Sequence, residues 1–416
     1  MGRHAHLSRA PFRPAAESLS SNAYSDAYWN AIAELNIPAS RGVARSGPEI
    51  RFADAIASLA AGDTEKAESA FREMGSQTTD LSVAAASQIM LSKTLMYEQK
   101  WAELRDLSTG SAFGLADRRN SSGIEQWGHA FGDLGPQVTT FPEQRVTLPL
   151  GVTLVGTPTI PVLVNGKEFR FWLDTGSSTT VLSSEVAEDA GVSPLGDDTL
   201  TIATFDGSAA ARPAAVKRME IGSIVLANNP AIVIDAQLMR VKSTADGVPL
   251  SGLRVDGIIG WDTIRQFDIF LDYQSGSVTI QRPQNLGTRG TPAQNLTWMG
   301  KPFIEIRTTM GTTLHFALDT GSQGSFVNSA ILKSLNLAAR NSDTRAYGLA
   351  RTGGHATQVV PIVKFGIGGQ SLTLKRLIVF SSPSTALVNC DGILGSDIAA
   401  FGKIRIDATN GVFSIG

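Results

Sequence analysis

From residue 26 to about 135 the apolar positions recur every three or four residues, the period of a helix with one face on a core. Glu49 to Leu59, Thr64 to Met74, Leu81 to Tyr97 and Trp101 to Leu107 are Ala-, Leu- and Glu-rich runs of this kind, broken at Gly62-Asp63 and at Gly75. Residues 1–25 carry Ser, Ala, Pro and Arg without periodicity and are expected to be flexible. After residue 145 the pattern shortens to alternation and to apolar triplets bounded by Gly, Asn and Ser, which predicts strands joined by tight turns. The expected organisation is a flexible segment over 1–25, a helical domain over 26–135, and two β-rich lobes over 145–285 and 296–416.

The two lobes are read from a repeat. Phe171-Trp172-Leu173 and Phe316-Ala317-Leu318 read as buried strands, and each runs into Asp-Thr-Gly-Ser, at Asp174-Thr175-Gly176-Ser177 and at Asp319-Thr320-Gly321-Ser322. Asp256-Gly257-Ile258-Ile259-Gly260-Trp261-Asp262 follows the first, and Asp391-Gly392-Ile393-Leu394-Gly395-Ser396-Asp397 follows the second in the same order. A short helical stretch and a strand-turn-strand come next in both: Phe267 to Ile280 around Gln274-Ser275-Gly276, and Ile404 to Ile415 around Asn410-Gly411, a hairpin signal. Asp262 and Asp397 stand where those helical stretches need an N-cap, and capping is their expected role. One carboxylate on a turn at a strand end, in each of two copied units, gives two half-sites.

These paired segments resemble the two lobes of aspartic peptidases, and more closely two retropepsin-type domains fused in one chain, over residues from about 145 to 416. The resemblance implies a mostly-β, two-lobed fold with a cleft between pseudo-twofold related lobes, and catalysis by Asp174 and Asp319 without metal, cofactor or covalent intermediate. Two carboxyls that close share one proton; the anion activates a water and the acid stabilises the carbonyl oxygen under attack. Gly176 and Gly321 would let backbone pass beside the carboxylates. The family pattern makes Thr175 and Thr320 a cross-braced pair and places the hydroxyls of Ser177 and Ser322 on the outer carboxylate oxygens, with local turn capping as the alternative for all four.

Two further hairpins with Gly at the tip are candidate substrate-covering flaps. Leu200 to Thr204 leads to Phe205, Asp206 and Gly207 and returns through Ala210 to Val216; Thr344 to Leu349 leads to Arg351, Thr352 and Gly353 and returns through Ala356 to Val363. Two flaps favour the retropepsin likeness, whereas neither tip carries the tyrosine of the pepsin-like flap. The continuations Ser178-Thr179 and Gln323-Gly324 differ, so the half-sites have diverged. Trp172 and Trp261 suit either an apolar substrate channel or the core. In the helical part, Phe52, Ile56, Leu59 and Ala60, the turn Gly62-Asp63, then Ala67 and Phe71 resemble one tetratricopeptide-type unit, and a generic bundle fits as well.

Composition narrows the partners. With 42% hydrophobic residues, 18% charged residues and a net charge of -2, the chain has no broad cationic surface for nucleic acid or anionic membrane. Cys390 is the only cysteine, so no intrachain disulfide forms, unlike secreted pepsin-like enzymes, and five histidines without ligand spacing predict no metal site. No apolar run is long enough for a membrane span. The start, Met1-Gly2-Arg3-His4-Ala5-His6, lacks an apolar core, so a cytoplasmic location or a periplasmic one after signal removal both remain. The expected partners are a peptide or protein substrate and a protein bound through the helical domain, and the expected activity is limited proteolysis by a single chain. The competing reading is an inactive peptide-binding or scaffold protein that keeps the fold.

Overall fold

The computed structural model describes residues 26–109, 118–154, 156–204, 207–245, 248–284, 294–346, 355–381 and 387–416. Among the described residues seven helices come first: α1 (Ala27–Ala33), α2 (Ile37–Val43), α3 (Gly47–Ala60), α4 (Thr64–Gln77), α5 (Leu81–Tyr97), α6 (Trp101–Thr109) and α7 (Arg118–Phe131). Their starts follow local chemistry. Ser46 and Glu49 close a capping box on α3, while Asp26, Asp63 and Asp80 accept from first-turn amides of α1, α4 and α5. Gly75 does not end α4, contrary to the pattern. The helix runs on to Gln77, and the missing side chain instead lets α5 approach, with the amide of Gln88 donating to the Gly75 carbonyl at 3.1 Å.

Each β lobe is a ring of six strands in the same order. In the first, Pro158–Val164, Lys167–Leu173, Gly257–Ile259, Thr180–Ser183, Ile224–Ile234 and Gly207–Ile221 pair in succession, and the last closes on the first. In the second, Pro302–Thr308, Thr313–Leu318, Gly392–Leu394, Phe326–Asn328, Gln370–Phe380 and His355–Ile367 repeat the circuit. The three-residue strand of each Gly-Ile-Ile/Leu segment lies parallel to the strand before the Asp-Thr-Gly turn and antiparallel to the strand after it. Gly is required where each begins, because a Cβ on Gly257 would enter the Phe171 ring and one on Gly392 the Phe316 ring.

A five-stranded antiparallel sheet joins the lobes, in the order Val146–Pro149, Ser277–Gln281, Asp268–Asp272, Lys403–Asp407, Val412–Ile415. The hairpins expected at Gln274-Ser275-Gly276 and at Asn410-Gly411 form it, and the central ladder, Asp268–Asp272 on Lys403–Asp407, crosses from lobe to lobe. Arg405 fixes that ladder with two hydrogen bonds to buried Asp268, at 2.9 and 3.1 Å, and one to Asp407 at 3.1 Å. The apolar core runs continuously from one lobe to the other. A hairpin of Arg240–Ala245 with Val248–Arg254 was not foreseen from the pattern.

Candidate active site

The two Asp-Thr-Gly turns meet between the lobes. Each aspartate is positioned by its own lobe: the N–H of Asp174 donates to the carbonyl of Ile259 at 3.1 Å, and that of Asp319 to Leu394 at 3.0 Å. Within each turn backbone amides then point at the carboxylate. Gly176 and Ser177 donate to Asp174 Oδ1 at 2.8 and 3.2 Å, and Ser322 donates to Asp319 Oδ1 at 2.9 Å.

Across the pseudo-twofold the threonines are exchanged. Thr175 Oγ1 donates to the Leu318 carbonyl at 2.9 Å and accepts the Thr320 N–H at 3.0 Å; Thr320 Oγ1 donates to the Leu173 carbonyl at 2.6 Å and accepts the Thr175 N–H at 3.1 Å. Both are buried, so this grip ties the lobes beneath the carboxylates. A Val in place of Thr320 keeps the volume but leaves a buried N–H and a buried carbonyl without partners. Thr320→Val is expected to lower stability by about 2 to 4 kcal/mol in chemical denaturation, and Thr320→Ser by less than half of that.

The glycines face the opposite carboxylates. A Cβ built on Gly176 would lie 2.5 Å from Asp319 Cγ, and one on Gly321 would strike Asp174. Each carboxyl group is thereby seated against the opposite turn, where the two aspartates act on each other's ionisation. Burial raises both above the ordinary carboxylate range, Asp174 to about 8, with the charge of Asp319 as its second cause.

Several expected roles fall elsewhere. The hydroxyls of Ser177 and Ser322 do not reach the carboxylates; they donate to the carbonyls of Thr179 and Gly324 at 2.7 and 3.0 Å, so local turn closure is their role and the backbone amides serve the aspartates. Asp262 and Asp397 are not N-caps. Gly260 and Gly395 hold the cap positions without side-chain bonds. Asp397 accepts the N–H and hydroxyl of Ser325 at 3.1 and 2.7 Å, and Asp262 accepts the hydroxyl of Thr180 at 3.2 Å, so each acid braces the strand that leaves its own active-site turn. Burial pushes Asp262 up to about 7 and raises Asp397. Of the two tryptophans, Trp261 packs in the lobe core, and Trp172 belongs to a second apolar cluster shared with the helices.

The strands of the two candidate flap hairpins pair as Leu200–Thr204 with Gly207–Ile221 and Arg340–Ala346 with His355–Ile367. Gly207 opens its strand, whereas Phe205, Asp206, Arg351, Thr352 and Gly353 lie outside the described residues. The structure also extends the duplicated unit upstream. Gly156-Thr157-Pro158 and Gly300-Lys301-Pro302 occupy matching places before the first ring strand, with φ of 91° and 87° at the glycines, and this Gly-X-Pro repeat was available in the sequence. Thr157 Oγ1 reaches the Gly321 carbonyl at 3.5 Å, and the charge of Lys301 acts on Asp319.

Two equivalent strand rings, a carboxylate-bearing turn from each and a shared sheet behind them make this the two-lobed aspartic-peptidase fold, preceded by a helical region. A family model described as aspartyl protease matches residues 160–263 and 305–398, which takes in both Asp-Thr-Gly turns and both Gly-Ile-Ile/Leu-Gly segments. A solved aspartic proteinase from Irpex lacteus is similar over 65% of this chain and 96% of its own, at 15% identity and a TM-score of 0.40. No curated protein matches the sequence.

Proposed function

We propose that the chain is an aspartic endopeptidase, with Asp174 and Asp319 as the catalytic pair, acting on an extended segment of a peptide or protein by limited cleavage. The observation that carries this is the crossed arrangement at the turns: threonines exchanged between lobes, and each glycine seated against the other lobe's carboxylate. Raised and acting on each other, the two carboxyls share a proton. The ionised member takes a proton from a water held between them as that water attacks the peptide carbonyl. The protonated member donates to the carbonyl oxygen, and the proton gained from water passes to the leaving nitrogen. The pair titrates as one unit, so base and acid are roles of the pair.

Digestion of a peptide library tests the reading: cleavage products whose new carboxyl carries solvent oxygen, suppressed by a statine-type inhibitor, are expected, and uncleaved peptides throughout would reject it. The pH profile gives a sharper check. A carboxyl with raised pKa keeps its proton to higher pH, so the singly protonated pair should persist well above the ordinary aspartate value of 3.8 and be lost toward about 8. An alkaline limb of kcat/KM near 4 would contradict the buried, coupled pair. Linkage has the same sign: the folded state holds more protons than the unfolded chain in this window, so stability falls as pH rises through it.

A further inference from the structure

The helical region shares a surface with the carboxylates. Side chains two apart on a strand point the same way, so Trp172 lies on the face that carries Asp174 and Ala317 on the face that carries Asp319. Their neighbours Phe171, Leu173, Phe316 and Leu318 go to the lobe core instead. Ile258 and Ile393, opposite Trp172 and Ala317 in the parallel ladders, turn to the carboxylate side too. All four belong to or pack on one apolar cluster with helical residues that include Tyr28, Phe52 and Phe131. Hydrogen bonds fasten the helices to the lobes: the N–H of Asn389 donates to the Ala33 carbonyl at 2.8 Å, the hydroxyl of Thr297 to the Ala60 carbonyl at 3.3 Å, and the N–H of Thr201, on the first candidate flap hairpin, to Gln126 Oε1 at 3.3 Å. The helices therefore bound the cleft on one side.

At that boundary the two lobes differ. The first lobe's Gly156 loop packs on the second lobe, where a Cβ at Gly156 would meet Ser396 Oγ at 3.3 Å, and it presents the neutral hydroxyl of Thr157. The second lobe's Gly300 loop packs on α5, where a Cβ at Gly300 would lie 3.0 Å from Lys93 Nζ, and it presents Lys301. Lys301 is exposed and Lys93 part-buried, and among the described residues neither has an ion-pair partner. Burial first, then the charge of Lys301, pushes the Lys93 ammonium down to about 8. The ammonium of Lys93, on α5, thus lies against the loop that carries Lys301, close enough for the two like charges to act on each other, and the charge of Lys301 also acts on Asp319.

We propose that Lys93 and Lys301 form a subsite for a carboxylate of the substrate, supplied by an Asp or Glu side chain or by the peptide's C-terminus. An anion between the ammonium groups relieves their repulsion and gains a charge-assisted hydrogen bond from each, whereas an amide gains neither in full. The inference rests on the peptidase reading, and the helical region thereby contributes a residue to substrate choice.

The test uses the full chain and statine-containing peptides with Glu or Gln at each position around the statine, with free or amidated C-termini, and binding measured by calorimetry. One carboxylate position is expected to bind about 10-fold tighter than its amide counterpart. Lys93→Met and Lys301→Met should each erase most of that preference, and continued binding of the amide peptide reports that the variant is folded. If Lys93→Met does not fold, exposed Lys301→Met keeps the test. Equal binding of carboxylate and amide peptides by the unaltered protein, or a preference that survives both substitutions, would overturn the subsite. Failure of every statine peptide to bind would overturn the peptidase reading itself and the subsite with it.

Discussion

Asp174→Asn and Asp319→Asn are each expected to lower kcat by at least about 10³-fold, with a thermal midpoint equal to or above that of the unaltered protein. The asparagine is nearly isosteric and keeps an oxygen for the amides of Gly176 and Ser177, or of Ser322, so the turn geometry should survive. Proton exchange does not survive, since one amide can neither share the proton nor take it from water. Stability moves the other way because a desolvated, coupled carboxyl is replaced by a neutral group. Measuring kcat and melting together separates loss of chemistry from loss of fold. Activity within a few-fold of the original in either variant would remove these aspartates from the mechanism.

The second large effect is structural. Gly392→Ala should destabilise the protein by about 3 kcal/mol or more, because the new methyl would enter the Phe316 ring and lie 2.6 Å from the Phe326 carbonyl oxygen. Neither neighbour can give way cheaply: Phe316 is fully buried, and the Phe326 carbonyl belongs to a paired strand. Phe316→Leu alone leaves a cavity and is also destabilising. In the double variant the methyl fills part of that space, so its cost should fall short of the sum of the two single costs by about 1 kcal/mol or more in a double-mutant cycle. Strict additivity would mean that the ring is not what excludes a side chain here. Gly257→Ala against Phe171 is the same experiment in the other lobe.

What could be read from sequence was what is written locally. The Asp-Thr-Gly turns, the apolar strands that lead into them and the Asn410-Gly411 hairpin are short-range patterns, and the repeat doubled each signal. Asp262 and Asp397 were misread because an acid before a short helix looks like a cap, while the groups they bind, Thr180 and Ser325, lie far back in the chain. Gly75 misled in the same way, its requirement coming from Gln88 on the next helix. Nor could alternation reveal that Trp172 and Ala317 would meet helical side chains, since period two gives the face and not its occupant. Lys93 carries no local signal at all; only its approach to Gly300 marks it.

The ladder between Asp268–Asp272 and Lys403–Asp407 also sets an order of events during synthesis. When the first lobe has left the ribosome, its strand Asp268–Asp272 still has an open edge, and the carbonyl of Leu173 still awaits the hydroxyl of Thr320 from the second lobe. That edge closes only with Lys403–Asp407, and Val412–Ile415, at the far end of the chain, completes the sheet. A chain interrupted before Lys403–Asp407 therefore holds Asp174 on an unfinished scaffold.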